Sequence, residues 1–188
     1  MDIEQQFADW LKDAYFMEIH YAKVLEEHLG AAGDYPRLHR LVEEHLWATT
    51  SHAYEVGLCL ERLNGNVKDL ICDRSSLHAP FEQPPSTKRE IVINNIIVEL
   101  TTESYEIARY IEIIAAATNV GDPLTIRMCE AILEDEEAMA EKLIVELPEI
   151  TSTYLELLVL SERRKLVASN QPDFGPARAL TRFAPIAA

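Results

Sequence analysis

The sequence predicts an all-α fold: an antiparallel four-helix bundle with one long crossover, a shorter C-terminal fifth helix and an extended tail. Three observations predict it. Four long segments carry apolar residues at 3-and-4 spacing, which defines one buried face on each. Gly, Asp and Pro punctuate the joints between them. A chain of 188 residues with 48% apolar content can also bury a proper core. The expected organisation is a single helical domain over residues 1–170 and a Pro-containing tail over 171–188.

The first helix is expected from about Ile3 to Leu29, with Asp2 as N-cap and Gly30 and Gly33 ending it. Its inward positions are Phe7, Leu11, Ala14, Glu18, Tyr21 and Leu25. Asp34 and Pro36 open the second, about Pro36 to Leu63, whose face reads Leu38, Val42, Leu46, Thr49, Ala53, Val56, Leu60 and Leu63, with His52 on its flank. So short a joint packs the two helices antiparallel. Asn64 to Ser86 has no sustained period and is long for a loop, so it reads as a crossover along the bundle, with Leu70 and Ile71 packing beneath it. Thr87 and Glu90 have capping-box spacing and open the third helix, to about Thr118, with Ile96, Leu100, Glu103, Ile107, Tyr110, Ile114 and Ala117 inward. Asn119 to Gly121 turns the chain, and Asp122-Pro123 starts a fourth helix ending near Leu147. After Pro148, Ser152 to Ala168 reads as the fifth helix.

Charge and composition exclude several classes. A formal net charge of −15 is wrong for gripping phosphate backbones, so no nucleic-acid partner is expected. No run reaches the roughly 18 apolar residues of a membrane span, and the N-terminus has no signal-peptide pattern. Cys59, Cys72 and Cys129 form no CxxC pair and suit a reducing compartment, so a soluble cytoplasmic protein is expected. Arg163, Arg164, Lys165, Arg178 and Arg182 make the C-terminal end basic, suited to solvent, to the acidic body or to a partner subunit. The chain has no phosphate loop, nucleophile elbow, Cys/His nucleophile pair or zinc-finger spacing, which leaves catalytic residues and any small-molecule substrate unassigned.

What stands out is acid in the wrong place. Glu18, Glu103 and Glu136 each interrupt an apolar face at mid-helix, where stripping a carboxylate of water costs several kcal/mol unless a cation compensates it. The two halves match: Glu18 precedes Thr49 by 31 residues and Glu103 precedes Glu136 by 33. Helices about 35–45 Å long, at 1.5 Å per residue, put all four positions in one layer. Inward glutamates at mid-height in such a bundle describe a carboxylate-bridged di-iron site, which needs single glutamates on two helices and Glu-x-x-His on the other two. Glu18 and Glu103 take the single positions. The pairs are each half missing, because Thr49-x-x-His52 lacks the Glu and Glu136-x-x-Met139 lacks the His. The expected metal ligands are therefore Glu18, His52, Glu103 and Glu136, one imidazole and three carboxylates, enough for one divalent ion or two weakly held ones. His45, seven residues before His52, is a further candidate whose simpler placement is the surface. Met139 reads as core. Tyr21 and Tyr110 are placed to hydrogen-bond the carboxylates.

The runs LKDAYFMEIHYAKVL, EEHLWATTSHAYEVGLCLERLNG, TTESYEIARYIEIIAAAT and MCEAILEDEEAMAEKL resemble the YciE/YciF-type branch of the ferritin-like superfamily over about residues 7 to 147. Glu103 to Ala108 is similar to that family's Glu-His-Tyr-Glu-Ile-Ala run, with Ser104 in place of the His. Leu133 to Glu137 resembles the ligand stretch of bacterioferritins, with Met139 in place of their His. His45-Leu46 matches the family, while Trp47 and Ala48 stand where its acidic residues lie. The resemblance implies a ferritin-like metal-binding protein holding iron or manganese, with zinc as the alternative. It implies an oxidase-like or stress-related role and, if the protein is an enzyme, an oxidoreductase of the di-iron carboxylate type. The competing expectation is a bundle without metal that serves as a structural or interaction module, a homodimer built with the fifth helix or tail.

Overall fold

The computed structural model describes residues 2–64 and 88–169, and every long element in them is a helix. They are α1 (Ile3–Ala31), α2 (Pro36–Asn64), α3 (Lys88–Val120) and α4 (Pro123–Ser169), with one 3-10 turn, Ala32–Asp34, between the first two. The fold is an all-α four-helix bundle. Contacts divide the chain into a unit Met1–Thr151, which contains the bundle, and a unit from Ser152 onward, helical as far as Ser169. The expected crossover, Leu70 and Ile71, the Thr87 cap and the 171–188 tail lie outside the described residues.

The local signals act as their chemistry dictates. The Asp2 side chain accepts the Glu4 backbone N–H and caps α1. Between α3 and α4, Gly121 takes φ 75°, the left-handed conformation that glycine adopts without strain. The Asp122 N–H then reaches the Ala117 carbonyl at 2.9 Å and the Gly121 N–H reaches Thr118 at 3.3 Å, the paired closure of a helix C-terminus. Asp122 immediately caps α4 by accepting from the Thr125 backbone and hydroxyl, and Arg62 at the end of α2 binds the same carboxylate.

Each helix buries a strictly alternating 4-3 ladder, the seam geometry of antiparallel bundles. On α1 it runs Phe7, Leu11, Ala14, Glu18, Tyr21, Leu25, His28; on α2, Leu38, Val42, His45, Thr49, His52, Val56, Cys59. On α3 it is Val92, Ile96, Glu99, Glu103, Glu106, Tyr110, Ile113, Ala117, and on α4 it is Thr125, Cys129, Ile132, Glu136, Met139, Leu143, Glu146, Ile150. Apolar clusters fill the two ends, one around Phe7, Leu60, Ile113 and Cys129, the other around Leu25, Leu38, Ile96 and Leu143. The end of α2 lies in the first cluster and the start of α3 in the second. Those helices are therefore parallel, with the end of α2 and the start of α3 at opposite ends of the bundle.

Two expectations are corrected. A separate fifth helix does not form: α4 is helical without interruption from Pro123 to Ser169, with Pro148 inside it. Pro148 removes the N–H that would bond the Ile144 carbonyl, but both residues are exposed, so water can serve that carbonyl. The ladder continues past it to buried Ile150, and Arg37 reaches Glu146 at 3.0 Å and Glu149 at 2.7 Å on either side of the proline. The inward face of α3 is also rotated. Ile96, Glu103, Tyr110 and Ala117 are inward as expected, but the residues between them are Glu99, Glu106 and Ile113, while Leu100, Ile107 and Ile114 are only half-buried. Among the described residues, no helix is long and apolar enough to cross a membrane.

Candidate metal centre

Between the two apolar clusters the four ladders turn polar together. Glu18, His52, Glu103 and Glu136, the four ligands expected from the sequence, are all buried there, at 0%, 3%, 0% and 2% exposure. The structure adds two residues to them. His45 is buried at 2%, which overturns its surface placement, and Glu106 is buried at 1%. Ligand-capable atoms of Glu18, His52 and Glu136 lie within 4.8 Å of one another, and so do those of His45, Glu103, Glu106 and Glu136. Glu136 belongs to both sets. Four carboxylates and two imidazoles thus surround two adjacent positions that share one carboxylate.

The ligand spacing differs from the expected Glu-x-x-His pairs. Helix α2 contributes two histidines seven residues apart, two helical turns along one face, with Thr49 buried between them. Helix α3 contributes Glu103 and Glu106 at i, i+3, which aims both at one point. Helices α1 and α4 give one glutamate each. Met139 packs in the apolar cluster, as expected. The halves that looked missing on α2 and α4 are replaced by a second histidine on α2 and a second glutamate on α3.

Each histidine faces a carboxylate. His45 Nε2 is 2.6 Å from Glu103 Oε1, and His52 Nδ1 is 2.9 Å from Glu136 Oε1. Burial works to lower the His45 pKa, yet Glu103 and Glu99 together raise it to about 10. For His52 burial again opposes, and Glu136, Glu18 and Asp135 raise it to about 9. The carboxylates are pushed the other way. Glu18 rises to about 8 through burial and the Glu136 charge, against the lowering effects of His52 and the Tyr110 hydroxyl, which donates to Glu18 Oε1. Burial first, then neighbouring Glu136, lifts Glu103 to about 7 against the hydrogen bond from His45. Glu106 lies well above the usual range through burial and the charges of Glu18, Glu136 and Glu103.

Glu106 marks the strain in this arrangement. Both of its oxygens are buried without a hydrogen-bond partner, and so is Oε2 of Glu18. An unpartnered buried polar atom costs about 1–3 kcal/mol. Oxygen and imidazole donors of this mix suit iron, manganese or zinc, and four carboxylates carry as much negative charge as two divalent ions carry positive. The residues therefore fit a pair of divalent metals.

The family model described as a domain of unknown function (DUF892) matches residues 2–156. Among solved structures, a protein of Xanthomonas campestris pv. campestris is similar with a TM-score of 0.69 and 28% identity, over 82% of this chain and 97% of that one. YcfI of Rhodopseudomonas palustris is similar with a TM-score of 0.63 and 21% identity, over 76% and 93%. The E. coli stress protein YciF is similar with a TM-score of 0.63 and 20% identity, over 81% and 98%. The last two likenesses are of fold.

Proposed function

This chain belongs to the DUF892 family, and from its buried ligand sets we propose that it is a ferritin-like protein that binds two divalent ions, iron or manganese first and zinc as the alternative. Glu18 and His52 would hold one ion and His45, Glu103 and Glu106 the other, with Glu136, which belongs to both sets, available to either. The observation that carries this reading is Glu106: a carboxylate with two partnerless oxygens, aimed among other carboxylates in a sealed core, has an evident use only as a cation ligand. When two redox-active ions are bound, the pair supplies oxygen chemistry, which makes an oxidase-like, stress-linked role the natural extension. The similarity in fold to a stress protein agrees with it.

The chain's own residues do the rest. Tyr110, fully buried, holds Glu18 by its hydroxyl and fixes which oxygen remains free. The apolar clusters at both ends keep bulk water from the centre. His45 and His52 hold protons in the metal-free protein, and these must leave before either ring can ligate. A second reading rests on the His45–Glu103 and His52–Glu136 pairs, which partly neutralise the core without metal. In that case the bundle is a structural module. Elemental analysis of protein purified without chelator, followed by Fe(II) and Mn(II) titration, separates the two. The expected result is up to two ions per chain, whereas less than about a tenth of an ion with no further uptake overturns the metal reading in favour of the second.

A further inference from the structure

Outside both ligand sets, one turn before Glu103 on α3, lies a second carboxylate that the core could have done without. Glu99 is 3% exposed. Its Oε1 accepts from His28 Nδ1 at 2.7 Å, and its Oε2 faces His45 Nδ1 at 3.5 Å. The opposite nitrogen of His45 is the one that meets Glu103 within the ligand set. A buried row therefore runs His28, Glu99, His45, Glu103, crossing from the last turn of α1 through α3 to α2 and back. His28 is itself buried, at 9% exposure, so the row is closed off from solvent screening along its length. At that depth leucine would pack without desolvating a charge, so the cost of this carboxylate is offset only through the two histidines it faces.

From this geometry we infer that Glu99, clamped by His28, is the positioning residue for His45: its free oxygen faces Nδ1 at ion-pair distance and so favours the ring orientation that turns Nε2 toward the position lined by Glu103 and Glu106. The inference rests on the metal reading above and adds an inequality between its two positions. His52 has an outer carboxylate too, since its Nε2 lies 3.3 Å from Asp135 Oδ2, but the Asp135 side chain is 69% exposed. An exposed partner on a free side chain is screened by water and holds a ring loosely. A buried one with its second oxygen already tied holds the ring in one orientation. The position served by His45 is therefore the pre-organised one, and the position served by His52 is the adaptable one.

The test titrates the full chain with Co(II) alone, following both the binding steps and the ligand-field absorption of the bound ion. In the wild type two steps are expected. Glu99→Gln should weaken one step by about 10- to 100-fold, the usual effect of losing an outer carboxylate, and alter the absorption of that ion only. Asp135→Asn should change either step by no more than about threefold, as a screened surface partner does. His28→Leu should reproduce the Glu99→Gln loss, and His28→Asn, whose amide N–H can replace Nδ1–H, should restore it. That pair also serves if Glu99→Gln does not fold. Wild-type affinity in Glu99→Gln, equal weakening of both steps, or identical behaviour of the two His28 variants overturns the positioning role. Failure of the wild type to bind Co(II) overturns instead the metal reading on which it stands.

Discussion

Leucine at position 106 separates the stability of this bundle from its capacity for metal. In the metal-free protein both Glu106 oxygens are buried without partners, and burial together with the charges of Glu18, Glu136 and Glu103 favours its neutral form. An unsatisfied buried polar group costs about 1–3 kcal/mol, and a leucine of similar volume removes that cost while adding apolar contact. Glu106→Leu should therefore stabilise the chelated protein by about 1–3 kcal/mol. In a chain of this size each kcal/mol moves Tm by about 2–4 °C, so a rise of roughly 2–12 °C is expected. With metal the order reverses. At a free ion concentration of 100 Kd, a bound ion stabilises by about 2.7 kcal/mol, and the variant forfeits most of that at the position Glu106 serves. Thermal unfolding with chelator and again with excess Mn(II), wild type beside variant, reads both effects. A variant that melts below wild type in chelator refutes the strained-carboxyl argument. One that keeps the full metal-induced rise refutes Glu106 as a ligand.

Tyr110→Phe removes the hydroxyl that donates to Glu18 Oε1 and leaves both oxygens of that carboxyl unpartnered; the urea midpoint in chelator should fall by an equivalent of about 1–3 kcal/mol, and an unchanged midpoint would contradict the bond. Glu18 at about 8, Glu106 well raised, His52 at about 9 and His45 at about 10 all titrate above their ordinary values in the folded chain. Their contribution to apo stability is complete below the ordinary values and is lost as pH rises through about 8 to 10, so midpoints in chelator should decline between about pH 6 and 9. Burial works to raise Glu99, but His28 and His45 beside it outweigh that and hold it low, so its contribution goes instead at the acid end. A midpoint that climbs between about pH 6 and 9 would be incompatible with this balance. Metal uptake should release protons for the same reason, seen as a buffer-dependent heat in titration calorimetry. Finally, Pro148→Ala restores an N–H to α4 at an exposed position and should raise Tm by a few degrees, about 1–2 kcal/mol, short of the full interior-proline penalty because the exposed Ile144 carbonyl is open to water. A drop in Tm would mean that the proline holds a bend the bundle needs.

The helices and their joints were legible in the residues. Asp2, Pro36, Gly121 and Asp122-Pro123 act through local backbone chemistry, and local chemistry is what a sequence displays. The depth of Glu18, Glu103 and Glu136 was legible as well, because each interrupts a run whose other members can only be core; His52 was read on the flank of its helix and came in through its spacing from Thr49. Glu99 and Glu106 were obscured by a preference for burying Leu100, Ile107 and Ile114 instead, and His45 by a preference for its neighbour Leu46 on α2. Both faces of α3 share Ile96, Glu103, Tyr110 and Ala117, and hydropathy favours the wrong one. Both faces alternate 4-3; what distinguishes the right one is its phase, since the mid-height residue of every helix follows its buried neighbour by four and precedes the next by three, as in Ala14-Glu18-Tyr21, Ile132-Glu136-Met139 and Glu99-Glu103-Glu106. Pro148 misled in the opposite way: its effect on an isolated helix is to end it, and nothing nearby in sequence shows that Arg37 and Ile150 hold the turn on both sides.

The sequence alone determined that the chain makes long amphipathic helices, how α1 and α4 start and how α3 turns into α4, and that acid lies on their inner faces, because periodicity and capping are properties of neighbouring residues. Only the tertiary structure decided how far each helix is rotated about its axis. That rotation brings His45 and Glu106 beside Glu103 and Glu136 and sets Glu99 between two histidines. It is fixed by the simultaneous packing of four ladders against one another, a condition no single helix carries in its own residues.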